Sequence, residues 1–234
     1  MQKIVTLLSF ISCIGISTSQ VSDFGRDMKN ALQIHETAST ISHEIHALKA
    51  FKNLVIKYPN EWLPSYWTAY MCTQVARLDG KTKNFPKDMS AKELLLEARA
   101  YFETSIERKG EMTNNEKSDF LILESFIYGF FQSRVASSQL EKENYGTLKE
   151  SKYLEAAQNN PKNPLIYVMQ GIILIKKENY KDIISGIALL EYAELIFNKT
   201  KDRSLSTHWN KDFIKPWQSR AANSLSEISS NFND

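Results

Sequence analysis

The sequence predicts an all-α chain: a solenoid of stacked helical hairpins closed by a C-terminal helix. Three observations predict it. Eight glycines and six prolines in 234 residues are about half the usual share, which favours long helices over a turn-rich sandwich. Apolar residues recur at three- and four-residue spacing between well-punctuated breaks, and no alternating β-branched run bounded by turns occurs. A pattern of small residue, aromatic and helix stop recurs at fixed offsets along the chain.

The expected helices are 22–36, 41–57, 62–78, 89–109, 115–137, 147–159, 163–177, 181–199 and 214–230. Around the first break the apolar stripe runs Ile34, Ala38, Ile41, Ile45 and Leu48. Tyr58-Pro59-Asn60 ends the second helix, and Asp79-Gly80 with Asn84-Phe85-Pro86 separates the third from the fourth. Ser90 followed by Glu93 has the spacing of a capping box, in which the hydroxyl and the carboxylate satisfy each other's backbone donors. Gly110 closes the fourth helix. Asn160-Pro161 and Pro164 then divide the sixth from the seventh, since proline is tolerated only in a first turn. In the last segment Ile214, Trp217, Ala221, Leu225 and Ile228 form one apolar stripe with polar residues opposite, as a cap requires.

The repeat is read from Ala47, Phe51, Leu54 and Pro59. Its offsets return as Ala98, Phe102, Ser105 and Gly110, as Lys149, Tyr153, Ala156 and Pro161, and as Gly186, Leu190, Ala193 and Asn198. A small residue lets neighbouring helices approach, an aromatic fills the gap between hairpins, and the stop reverses the chain. Tyr167, Gly171 and Leu174 carry the matching pattern of a first helix, with Gln170 where leucine is usual; after Gly110 the equivalent small position holds Phe120, which fits badly. These residues, with Pro59 to Tyr66, Asn160 to Tyr167, Trp209 and Pro216-Trp217, resemble exported tetratricopeptide-repeat proteins of Gram-negative envelopes. The aromatic position steps by 51, 51 and then 37 residues, against the 34 of that repeat, so insertions are expected. The resemblance implies a helical-repeat fold and a binding role; it implies no activity.

Residues 1–19 read as a signal peptide, leaving 20–234 as a single domain. Lys3 is the positive start, Ile4 to Ile16 the apolar run, and Ser17-Thr18-Ser19 supplies small residues before cleavage at Gln20. The expected location is periplasmic or secreted. Phe10-Ile11-Ser12-Cys13 loosely resembles a lipobox, so a lipid anchor on Cys13 is the competing reading. Without the leader Cys72 is the sole cysteine, which excludes an internal bridge; between Met71 and Thr73 it reads as a buried small hydrophobe.

The search for chemistry excludes more than it finds. Glycines stand too far apart for a phosphate loop, a dinucleotide fingerprint or a G-x-S-x-G elbow. His43-Glu44-Ile45-His46 is one residue short of the zincin motif; with His35 and His208 it makes the histidine inventory, and no metal or cofactor is expected. Glu124-Ser125 and Glu150-Ser151 match the dipeptide of lytic transglycosylases, though the Gly-Leu-Met-Gln segment those enzymes share is absent; a glycan-acting envelope enzyme is the rival reading. Twenty-nine basic against 27 acidic residues give no excess for nucleic acid.

The expected function is a non-catalytic scaffold that holds a peptide or protein segment in a concave groove. Counted from Pro59 in the register of the repeat, Tyr66, Tyr70, Thr73 and Gln74 line that groove as partner-binding residues. Counted one residue differently, Tyr66 and Tyr70 belong to the core.

Overall fold

The computed structural model describes residues 23–199 and 214–231, with side chains to residue 228. The reading of residues 1–19, including Cys13, and that of Trp209 lie outside the described residues. Among the described residues the regular structure is all helix, with no strand. Helix α1 spans 23–36. It is followed by α2 (Ile41–Lys57), α3 (Leu63–Leu78), α4 (Ala91–Lys109), α5 (Asn114–Phe130), a π-helical turn (Phe131–Val135), α6 (Gln139–Asn159), α7 (Pro164–Ile175), α8 (Tyr180–Lys199) and α9 (Lys215–Asn231). Consecutive helices pair: α3 with α4, α5 with α6 and α7 with α8 make the closest associations, and α9 lies against α8 and α7. No described helix is long and apolar enough to cross a membrane.

Local chemistry starts and stops these helices. Thr40, Ser90, Thr113 and Ser138 each accept a backbone N–H three residues on, and the last two complete capping boxes with Glu116 and Glu141. Pro64 and Pro164 sit in first turns, where their missing N–H costs nothing. Gly110 closes α4 and Gly80 turns the chain after α3, both at positive φ (65° and 70°) that a side chain resists.

The repeat offsets correspond to packing. Ala47, Ala98, Ala156 and Ala193 are fully buried, as are Phe51 and Leu190, and Phe102 nearly so. Lys149 takes a small-residue position because its partner is smaller still: the lysine stem lies over Gly129, with Cδ 3.3 Å from where a β-carbon would stand. Phe120, awkward in the repeat pattern, is buried between the second and third hairpins. Its ring lies 5.0 Å from Tyr66, 5.5 Å from Trp62 and 5.9 Å from Phe102.

Two elements differ from the sequence reading. The helix expected at 147–159 begins eight residues earlier, at Gln139, because the Ser138 box nucleates a mostly polar first half that Tyr145 anchors on Phe131. The helix expected to run to residue 137 instead loosens into the π turn and stops at Ala136.

Candidate functional site

The four groove candidates all lie in α3, and α3 is surrounded. Leu63 to Ala76 are buried without exception. Tyr66 and Thr73 have no exposed surface, and Tyr70 and Gln74 have almost none. Tyr66 packs edge-on against Trp62 and Trp67, and its hydroxyl donates to the Asp119 carbonyl at 3.5 Å. Tyr70 sits 5.4 Å from Trp67 and 5.7 Å from His35. Burial in this aromatic column, with the Glu44 charge nearby, pushes the Tyr70 phenol far above its ordinary range. The Thr73 hydroxyl turns inward to the Tyr70 carbonyl at 2.6 Å. The expectation that these four side chains form an open partner-binding wall is therefore corrected. Helices pack on every side of α3, and the register that places the tyrosines in the core is the one observed.

The histidines divide. His43 and His46 are exposed on α2, with His43 Nδ1 3.4 Å from the Ser39 hydroxyl. His35 is largely covered. It packs on Trp67 and Tyr70 and lies 3.4 Å from the Glu44 carboxylate. Among the described residues no three His, Cys, Asp or Glu side chains are placed to share a metal ion.

Of the carboxylates singled out beforehand, Glu124 is ion-paired to Lys152 at 3.0 Å, and Ser125 donates to the Lys149 carbonyl at 2.8 Å. Both brace α5 against α6. Glu150 and Ser151 are exposed on α6. Cys72 is fully buried, its sulfur 3.8 Å from Glu97, which is itself ion-paired to Lys52. Burial above all pushes the Cys72 thiol far above its ordinary pKa.

Two surfaces escaped the sequence reading. The first is the outer face of α8. Ile183, Gly186, Leu190, Ala193 and Phe197 point into the core, yet Tyr180, Ile184, Tyr192 and Leu195, on the opposite face, are each about half exposed (58, 45, 49 and 49%). Ala188 continues this stripe, and Tyr167 of α7 meets Tyr192 edge-on at 4.8 Å. A helix apolar on both faces is normally covered on both. The run Ile183, Ile184, Ile187, Leu189 and Leu190 is the signal that reveals it. The second surface is a group of cations, Arg77, Arg134 and Lys176 among them, where α3, the π turn and α7 end.

No family model, curated protein or solved structure matches the chain.

Proposed function

We propose that this protein is a non-catalytic scaffold that binds a protein or peptide segment, exported to the periplasm or beyond. The surface used is the outer face of α8 in place of the α3 groove. The single observation that carries this reading is the exposed stripe Tyr180, Ile184, Tyr192 and Leu195 on a helix whose other face already fills the core. Contiguous exposed apolar surface is costly in water and marks interaction sites. Two tyrosines supply contact area at little cost in conformational entropy and keep a hydroxyl for the rim. A stack of helical hairpins suits such a role because it presents regular, extended faces; this part of the reading is fold-level analogy. The assignment outside the cytoplasm rests on residues 3–19 alone.

The experiment compares wild type with Ile184→Glu/Leu195→Glu by proximity cross-linking in the source cells, followed by mass spectrometry. Both side chains are solvent-facing, so the melting temperature is expected to stay within a few degrees of wild type. A partner cross-linked to wild type and lost from the variant supports the reading. An unchanged cross-link pattern in a folded variant removes α8 as the surface. A sedimentation run alongside identifies the case in which the partner is a second copy of the chain.

A further inference from the structure

Parallel first helices of stacked hairpins end on the same edge of a solenoid, and here that edge is crowded with cations. Arg77 stands in the last turn of α3 and Lys81 in the turn that follows. Arg134 comes from the π turn, Lys149 from α6, Lys176 from the end of α7 and Arg220 from α9. The Arg134 guanidinium reaches the turn after α3: Nη1 lies 3.9 Å from the point where Gly80 would carry a β-carbon. Lys176 Nζ and Arg220 Cζ share the Trp217 ring, at 5.3 and 5.7 Å from its centroid.

Few acids answer them. Arg220 is paired to Glu178 at 3.0 Å, and the carboxylate of Asp79 is spent on the Ala91 N–H at the start of α4. Lys149 Nζ reaches only the Gln132 amide oxygen, at 3.4 Å. Arg77, Lys81, Arg134, Lys149 and Lys176 make no ion pair among the described residues, and Arg77 Nε is buried without a hydrogen-bond acceptor. The charges are close enough to press on one another. Partial burial, with Lys149, Arg220 and Lys81 around it, holds the Lys176 ammonium below its ordinary pKa. Lys81 is lowered likewise by burial, Arg77 and Arg134. Three helix C-termini, each worth about half a negative charge, make the cluster tolerable but do not neutralise six cations.

We propose that this edge is a binding site for a ligand carrying two or more phosphate groups. A phosphate group concentrates up to two charges and three acceptor oxygens in one small volume. Donors from five separate elements on one edge, near enough for their charges to act on Lys81 and Lys176, match that density better than they match carboxylates spread along a peptide. The guanidiniums of Arg77 and Arg134 supply planar paired donors, and the lysines act as movable point charges. The cluster is confined to one edge of a nearly neutral chain, 29 basic against 27 acidic residues, which fits a small ligand better than a nucleic-acid strand. This site is separate from the α8 face and stands or falls independently of it.

The test is titration calorimetry on the full chain, with inorganic tripolyphosphate as the probe. A sugar bisphosphate and a glutamate-rich peptide are run as further arms. The expected result is tripolyphosphate binding that weakens steeply between about 50 and 200 mM salt. Affinity should fall at least about tenfold in Lys81→Gln/Arg134→Gln/Lys176→Gln, where three of the six cations are removed. If the triple variant melts early, Arg134→Gln alone serves, since that side chain is exposed; a loss of about threefold or more is then expected. Comparable binding of the sugar bisphosphate would point to a phosphorylated glycan, and tripolyphosphate alone to a free polyphosphate; both uphold the site. Absence of wild-type binding up to millimolar probe, equal affinity in a folded variant, or tighter binding of the acidic peptide overturns it.

Discussion

Asn163 joins three parts of the molecule through one buried side chain. Its oxygen accepts the Leu165 N–H and caps α7, while its amide donates to the Asp119 carboxylate at 2.6 Å and to the Ser118 hydroxyl at 3.0 Å. Ser118 in turn donates to the Ala156 carbonyl of α6 at 2.9 Å. Asn163→Ala removes a cap and a charge-assisted bond at a buried site. It is expected to cost about 3 kcal/mol, read from chemical denaturation. Tyr66 and Tyr70 pose the complementary case of apolar bulk. Each is fully enclosed, so Tyr66→Ser or Tyr70→Ser should lower stability by about 3 kcal/mol or more. A variant melting like wild type would mean that α3 has an open side after all. The sequence offered two registers for these tyrosines, differing by one residue. Spacing alone could not separate them, because an aromatic stripe looks the same whether a neighbour or a solvent layer faces it.

Two glycines face each other where α7 meets α8. A β-carbon on Gly171 would stand 2.8 Å from the Gly186 carbonyl, and one on Gly186 would stand 2.8 Å from the Gly171 carbonyl. Backbone cannot swing aside as a side chain can, so Gly171→Ala must drive the helices apart. The expected loss is about 1–3 kcal/mol, seen as a lower denaturation midpoint. Helix α1 is held to the end of α2 by a clasp: Lys57 and Tyr58 donate to the Asp27 carboxylate at 2.6 and 2.7 Å. The Lys57 bond first, then that of Tyr58, lowers the Asp27 pKa below the usual carboxylate range. A depressed folded value means stabilisation that is present above the unfolded pKa of about 4 and is lost as pH falls through the folded value. Amide exchange in α1 is therefore expected to accelerate below about pH 4, and Asp27→Asn should flatten that dependence. Most helices were legible because caps, prolines and apolar periods agree on their limits. The first half of α6 was not, since Glu141, Glu143 and their neighbours face water and leave no apolar period; its one readable mark was Ser138 with Glu141 three residues on. The candidate surfaces were harder still. The α8 stripe shows only as an excess of isoleucine and leucine, and the cations of the far edge are scattered from residue 77 to residue 220 until the fold collects them.

At the scale of the whole chain, stability in a stacked array is the sum of its units and the seams between them. The fourth hairpin meets the third through a thin seam, centred on Asn163, compared with the broad contact inside each hairpin. Hydrogen exchange followed by mass spectrometry is expected to show peptides from 164–199 opening before those from 63–109. Simultaneous opening would mean that the seam couples as strongly as the hairpins themselves. The enclosure of α3 bears on time as well as on stability. Tyr66 finds its acceptor on Asp119, 53 residues downstream, so the most completely buried of the described helices is made well before its far wall exists. At roughly 5–20 residues per second, the nascent chain carries that helix with one side uncovered for about 3–10 s. For that interval its safety depends on whatever attends the ribosome or the exit from it, and a pause before residue 119 would lengthen the exposure without altering a single contact of the finished fold.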